Sequence, residues 1–308
     1  MIQFCLDGDI KNLKKNILLR KTIRIEELEL GFLFACENGH GKIVKYLLNI
    51  AEQYSGKKIN IHKNNEEIFK LVCKKRYIKI MRFLLKISYW HDKEIDIHID
   101  NEECFRTACE YGHLDVVKYL LKISNKKTYT KIDIYEYGRS DDMVDEFNGF
   151  DIACQNGHLH ILIYLISITW MYKDNTKLYL PDLFEEFTYL MLTNNCIHLN
   201  IIRYFLEEAE NDIRLRNKIE HDFNSIINIH DNDEYYFRRM ISNGHIQIIK
   251  YLINLYKINN KYTPIDITKV TNCEELYLSY GWIYYPQIET YLLSLGRHID
   301  DVLSVILL

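Results

Sequence analysis

At 308 residues, with 48% apolar and 27% charged side chains, the chain is long enough for a repeat array or for one or two domains, and too apolar to stay unfolded by composition. Its formal net charge of −4 removes the electrostatic basis for wrapping nucleic acid. No run of about 18 apolar residues occurs, so no spanning helix is predicted. Met1 to Lys15 holds no apolar run of signal-peptide length, so an unexported chain with its eight cysteines reduced is expected.

The chain recurs on itself. CEYGHLDVVKYLL (Cys109 to Leu121) has clear copies in CENGHGKIVKYLL (Cys36 to Leu48), CQNGHLHILIYLI (Cys154 to Ile166) and GHIQIIKYLI (Gly244 to Ile253). Weaker copies start at Cys73 and Ile197, and a partial first copy lies at Cys5 to Ile17, its Gly8 standing 31 residues before Gly39. The aromatic of K-Y-L-L recurs as Tyr46, Phe83, Tyr119, Tyr164, Tyr204, Tyr251 and Tyr291, at intervals of 36 to 47 residues. A period of this length marks a solenoid.

Each unit has the same parts in order. A first helix is anchored by an aromatic seven residues before the turn glycine (Phe32, Phe105, Phe150 and Phe237, with Phe69 in the equivalent place), followed by Ala-Cys. The turn glycines Gly39, Gly112, Gly157 and Gly244 stand where a helix ends and a positive φ is needed. The second helix then carries apolar residues at i, i+1, i+4 and i+5, as in Val116, Val117, Leu120 and Leu121, one buried face of a 3.6-residue period. Lys45, Arg82, Lys118, Arg203 and Lys250 share one position on it and are expected to keep their charges in solvent, whereas the neighbouring aromatic column is expected in the core.

Between units the alternation Ile59-Asn-Ile-His62, Ile95-Asp-Ile-His98, Ile132-Asp-Ile-Tyr135, Ile227-Asn-Ile-His230 and Ile265-Asp-Ile-Thr268 predicts short extended arms. Following residues such as Asp100-Asn101-Glu102-Glu103 read as helix-entry signals, a cap and acids in the first turn. Two long insertions, near 126–148 and 207–234, are expected to project from the array. The domain reading is therefore one array over 1–296 and a C-terminal tail or cap over 297–308, with apolar Val302 to Leu308 inside it.

Helix, Gly-His turn, V-V-x-x-L-L helix and extended arm together resemble the ankyrin repeat, best in Ala108 to Leu121. The elongated version, rich in Ile, Lys, Asn and Tyr, is similar to the ankyrin-repeat proteins of giant DNA viruses of amoebae. The resemblance implies an all-α helix–turn–helix solenoid of about seven or eight repeats with extended arms between them. It also implies a non-enzymatic scaffold that binds a protein, here a host protein in the host-cell cytoplasm, through its concave surface. The T-P-L-H opening of the family is absent, and its His position holds Leu33, Lys70, Arg106 or Asp151.

The chemistry-bearing residues read mainly as structural. No C-x2-C pair occurs, and Cys5, Cys36, Cys73, Cys109 and Cys154 share one repeat position, where a small apolar side chain fits. His40, His113, His158, His198 and His245 occupy the turn column, where bonds to neighbouring backbone are expected rather than metal binding. No nucleotide-binding loop or nucleophile elbow occurs, and paired acids such as Glu102-Glu103 are expected at solvated helix starts. The basic run Lys11 to Arg24 reads as a solvated helix face. No catalytic residue, metal ligand or cofactor is expected, and the partner expected is a protein rather than nucleic acid, a membrane or a small molecule. Register places Lys70, Arg106 and Asp151 at exposed positions and His62, His98 and Tyr135 on the arms, as the protein-binding candidates. Two other readings compete: an adaptor delivering a bound protein to ubiquitin-ligase machinery, which needs a C-terminal motif not found in Tyr285 to Leu308, and a metal-dependent enzyme using the Cys/His set.

Overall fold

The reversal between the two helices of a repeat sets the geometry of everything else. A helix leaves its last carbonyls unsatisfied, and a left-handed residue just past its end lets the next N–H turn back onto them. Gly39 takes φ 76°, and the amide of His40 then donates to the Ala35 carbonyl at 2.8 Å. The same reversal occurs at Gly112, where His113 donates to Ala108 at 2.9 Å, and at Gly244, where His245 donates to Met240 at 3.0 Å. In the weaker copy Arg76 holds this place at φ 60°, at a cost of about 1–2 kcal/mol relative to glycine.

The computed structural model describes residues 1–89, 93–124, 131–132, 134, 148–169, 198–204, 207, 237, 240–241, 243–258, 287–288 and 290–291. Within them are α1 (Ile2–Asp7), α2 (Ile10–Leu18), α3 (Ile25–Glu37), α4 (Gly41–Ser55), α5 (Lys63–Lys74), α6 (Ile78–Ser88), α7 (Ile99–Glu110), α8 (Leu114–Ser124), α9 (Gly149–Gln155), α10 (Leu159–Thr169), α11 (Leu199–Arg203) and α12 (Ile246–Ile258), and no strand. The protein is all-α and built of helical repeats. The chain divides into two compact units, Met1–Ala153 and Cys154–Leu308. The insertions near 126–148 and 207–234, apart from a few residues, and the tail 297–308 lie outside the described residues.

In the first unit the helices form successive hairpins, α1/α2, α3/α4, α5/α6 and α7/α8. Packing runs α1 to α3 to α5 to α7 along the first helices, and α4 against α6 on the second row. The anchors Phe32, Phe69 and Phe105 are wholly buried, as are Ala35, Cys36, Ala108 and Cys109 beside them. Each buried phenylalanine contributes about 1.5–3 kcal/mol by removal from water. Second helices bury one stripe, Ile43, Val44, Leu47, Ile50 and Ala51 in α4, as the 3.6-residue period requires. In the second unit Phe237 is wholly buried, and α12 buries Ile248, Ile249, Leu252 and Ile253.

The turn glycines are held for a second reason. A Cβ on Gly8 would lie 2.6 Å from the His40 ring of the next repeat, and one on Gly39 would lie 2.8 Å from the Tyr77 ring. Within the second unit, a Cβ on Gly157 would lie 2.6 Å from the His198 ring. The ring then reaches deeper, to the backbone that precedes the glycine. His40 Nε2 donates to the Leu6 carbonyl at 2.8 Å, His113 Nε2 to Lys74 at 3.0 Å and His198 Nε2 to Gln155 at 2.8 Å. A carbonyl only accepts, so the proton sits on Nε2 in each. Three of the turn-column histidines, His40, His113 and His198, thus bind backbone as expected, and that backbone belongs to the preceding repeat.

Outside this row, the second helices are clipped together by cations on rings. Lys14 lies 5.2 Å from the Tyr46 ring, Lys45 5.1 Å from Phe83 and Arg82 4.7 Å from Tyr119, with Lys250 5.1 Å from Tyr291 in the second unit. Lys45 and Arg82 stay exposed as expected, each also lying on a ring, whereas the core placement expected for the aromatics is corrected. Tyr46, Phe83 and Tyr119 are half-buried, with one face left for the cation of the preceding repeat, an interaction of about 0.5–1 kcal/mol at such sites.

Backbone strain and steric clash at a turn glycine can be measured separately. Gly56 also has positive φ (69°), but a Cβ added there would meet nothing within 4 Å, whereas one on Gly39 would meet the Tyr77 ring. Gly56→Ala is expected to cost about 1 kcal/mol of unfolding free energy from backbone strain alone, and Gly39→Ala about 2–4 kcal/mol once overpacking is added. Urea denaturation of the two variants beside the wild type checks the difference.

Candidate interaction surface

The arms and first helices of the first unit make one continuous face. Alternation positions it. Ile59 and Ile61, Ile95 and Ile97, and Ile132 and Ile134 are all buried, which leaves Asn60 and Asp96 between them exposed. The arms carry the expected alternation without forming hydrogen-bonded strands among the described residues.

Beyond each arm the chain makes a left-handed turn. Asn64, Asn65 and Glu66 take φ of 50°, 56° and 57°, and Asp100, Asn101 and Glu102 take 50°, 53° and 64°. Asn and Asp tolerate this region better than other residues with a Cβ, which accounts for the Asn/Asp-Asn pair before each Glu. These residues are not helix caps: neither α5 nor α7 has a side-chain cap bond at its start, which corrects the cap reading, although Glu66, Asp100 and Glu102 do stand in the first turns as expected. The turn carries the glutamate inward. His62 Nδ1 meets Glu66 Oε1 at 2.7 Å and His98 Nδ1 meets Glu102 Oε1 at 2.6 Å. Glu66 is 2% exposed and Glu102 7%, so Glu102 is not the solvated helix-start acid expected. The signal was His followed by Glu four residues on, a spacing that His230 and Glu234 repeat outside the described residues.

The candidate residues fall into different places. Lys70 is bound at 2.8 Å to both Asp100 and Glu103 of the next repeat, with its side chain 23% exposed. Burial lowers the affinity of its amine for a proton, but the hydrogen bonds it donates to the two carboxylates outweigh that and raise it above the usual lysine range. The hydrogen bond from Lys70 holds Asp100 below the usual carboxylate range. Asn65 adds a second tie to Asp100 at 2.8 Å. Arg106 is half-buried and donates to the carbonyls of Asn101 and Asp100, at 3.0 and 3.2 Å, bracing the left-handed turn of its own repeat. His62 and His98 lie on the arms as expected, each committed to its glutamate.

Asp151 does not have the expected exposure. It is 2% exposed because it closes a capping box at the start of α9. Asn148 Oδ1 accepts from the amides of Phe150 and Asp151, both at 2.9 Å, and the Asn148 amide donates back to Asp151 at 3.3 Å. The N-x-x-D spacing is readable in sequence, but it sits at the edge of a long insertion, where no helix period marks the start. Tyr135 lies outside the described residues.

What the face offers a ligand is a hollow of 250 Å³ between α3 and the arm and start of α5. Phe32, Leu33, Ile59 and Ile68 form its apolar lining, and Leu30, 39% exposed, stands at its edge. Glu26, Glu29 and Glu67 bring carboxylates to it. Lys63 satisfies Glu29 at 3.0 Å, and Asn64 donates to Glu67 at 2.7 Å. Sequence reading missed the hollow because it depends on two repeats meeting.

The cysteine column is buried, and Cys5, Cys36 and Cys109 in it are held protonated. Burial pushes the Cys5 thiol up to about 11 and holds Cys36 and Cys109 higher still, so these thiols are poor nucleophiles at neutral pH. Cys104 is raised first by a hydrogen bond with Cys73 and then by burial. Among the described residues no group of three or more His, Cys, Asp or Glu side chains is placed to hold a metal ion.

Comparison with known families agrees with this geometry. The profile for ankyrin repeats in three copies matches residues 32–134, and the profile for many copies matches residues 105–166. Together the two matches span residues 32–166, and that segment is similar to ankyrin repeats. No curated protein matches the chain. Ankyrin repeats generally serve as non-enzymatic modules that bind proteins, and no described helix is long and apolar enough to cross a membrane.

The Lys70 clamp between two repeats has a defined pH window. A depressed Asp100 contributes stability above its ordinary value of 3.8, lost as pH falls through the folded-state value. A raised Lys70 contributes below 10.5, lost as pH rises through its folded-state value. Asp100 and Glu103 are 44% and 37% exposed, so screening leaves the clamp about 0.5–1 kcal/mol. Lys70→Met is expected to lower stability by that amount at neutral pH, with the deficit gone in strong acid; denaturant titrations at both pH values measure it.

Proposed function

We propose that this protein is a scaffold that holds a partner protein on the arm and first-helix face of residues 1–153. The observation that carries this reading is the hollow between α3 and α5, an apolar depression with carboxylates around it, set in a segment similar to ankyrin repeats. Its chemistry suits a peptide segment that inserts an apolar side chain beside a basic one. The apolar group would cover Leu30 and Leu33, and the cation would meet Glu26 and Glu67. Lys70, Arg106, His62 and His98 shape the same face by holding its turns and neighbouring repeats in place. The resemblance to the ankyrin proteins of giant viruses makes a host-cell protein the partner we assign. Delivery of that partner to ubiquitin-ligase machinery would need a further contact, and no observation favours one.

Affinity capture with mass spectrometry tests the reading, using the wild type beside Leu30→Asp/Leu33→Asp. A partner bound by the wild type and weakened at least about tenfold by the folded double variant is expected, since a charge placed in an apolar contact costs more than about 1.4 kcal/mol. A partner held equally by both proteins would move binding off this face.

A further inference from the structure

The sequence reading expected no membrane partner, and one edge of the first unit argues otherwise. Large apolar side chains are mostly covered in this unit, but Leu18 is 71% exposed, Leu19 86% and Tyr89 69%. All three stand at the C-terminal ends of second helices, Leu18 and Leu19 at α2 and Tyr89 at α6. Those ends share one edge. Lys14 on the Tyr46 ring, Lys45 on Phe83 and Arg82 on Tyr119 use the same repeat positions each time, so α2, α4, α6 and α8 lie parallel and in register.

The same edge carries a column of cations. Lys21, Lys57 and Lys93 each lie two residues before a buried isoleucine that starts an arm (Ile23, Ile59 and Ile95), and all three are exposed. Their spacing of 36 residues is one repeat, so stacking aligns them. Lys58 adds a further exposed cation, against Glu52, Glu94 and, on the arm itself, Asp96 as exposed acids. Arg20 is already neutralised by Glu27 at 2.7 Å.

We infer that this edge docks on an anionic lipid bilayer, with Leu18 and Leu19 inserted among the acyl chains and Lys21, Lys57 and Lys93 on the headgroups. Leucines and a tyrosine set among lysines match the boundary between headgroup and acyl chain, where apolar burial and attraction to anionic lipid act together. A nucleic-acid backbone would use the lysines and leave the leucines in water. The contact is peripheral and needs no spanning segment. None of Leu18, Leu19, Lys21, Lys57 and Lys93 lines the protein-binding hollow, so either can fail without the other.

Sedimentation of the full-length chain with vesicles tests the inference. Vesicles of phosphatidylcholine mixed with phosphatidylserine are compared with phosphatidylcholine alone, at low and high salt. The wild type is expected to sediment with the anionic vesicles, less so at high salt. Leu18→Ser/Leu19→Ser is expected to bind them at least about tenfold more weakly. Because both leucines are exposed, its circular dichroism and thermal melt should match the wild type. Lys21→Glu/Lys57→Glu/Lys93→Glu should fall to the level seen with phosphatidylcholine alone. Absence of wild-type binding to anionic vesicles would overturn the inference, as would equal binding by the leucine variant. So would preferential binding to RNA, or self-association that the leucine variant abolishes, since either would give this edge another occupant.

Discussion

The turn ring of one repeat seats on the glycine of the repeat before it, and the stacking of the array follows from that seating. A residue with a side chain at Gly8 or Gly39 would be strained by its φ and would strike His40 or Tyr77. With glycine there, the ring packs flush, and His40 reaches the Leu6 carbonyl that the ended helix left open. One contact thus finishes a helix, starts the next hairpin and sets its phase. The hydrogen bond recurs at His113, where Arg76 stands in place of the glycine, and in the second unit both the seating on Gly157 and the bond recur at His198. A repeat array has no long-range core to correct a misplaced unit, so such nearest-neighbour fixing has to be built into every junction.

The arm face shows a different balance. Each left-handed turn strains three consecutive residues, and each buries a glutamate. The desolvation of such a carboxylate costs several kcal/mol unless a partner meets it. His62 and His98 are those partners, at 2.7 and 2.6 Å. In the first of these sites His62 Nε2 and Glu66 Oε2 are buried and meet no hydrogen-bond partner among the described residues. The pair pins where the arm ends and the helix begins, and that point sets the wall of the hollow. Arg106 then braces the turn in its own repeat, while Lys70 and Asn65 tie the turn to the preceding one.

Much of this was legible in the chain. The turn glycines, the Phe anchors, the Ala-Cys pairs and the alternating arms follow from local periodicity, and those among the described residues are buried or left-handed as their spacing required, whereas the arms at 227–230 and 265–268 lie outside them. The candidate surface was less legible. Register alone assigned Asp151 to the exposed column of Lys70 and Arg106, but register does not see a helix that starts within two residues of it. Asp151 turned inward to cap α9 because Asn148 lies three residues before it. The hollow beside Leu33 could not be read at all, since its walls come from residues about one repeat apart.

The repeat, its helices, its reversals and its buried stripe are written in the chain alone, because each is a local pattern within one turn of helix or one pair of arm residues. The partners are not. That His40 takes the Leu6 carbonyl, that Lys70 is committed to Asp100 and Glu103, and that Leu18 and Leu19 are left exposed all required the folded stack. The difference comes from distance along the chain. Partners some 30 to 39 residues apart meet only after the hairpins stack, and the free energy of each pairing depends on burial that no single repeat possesses alone.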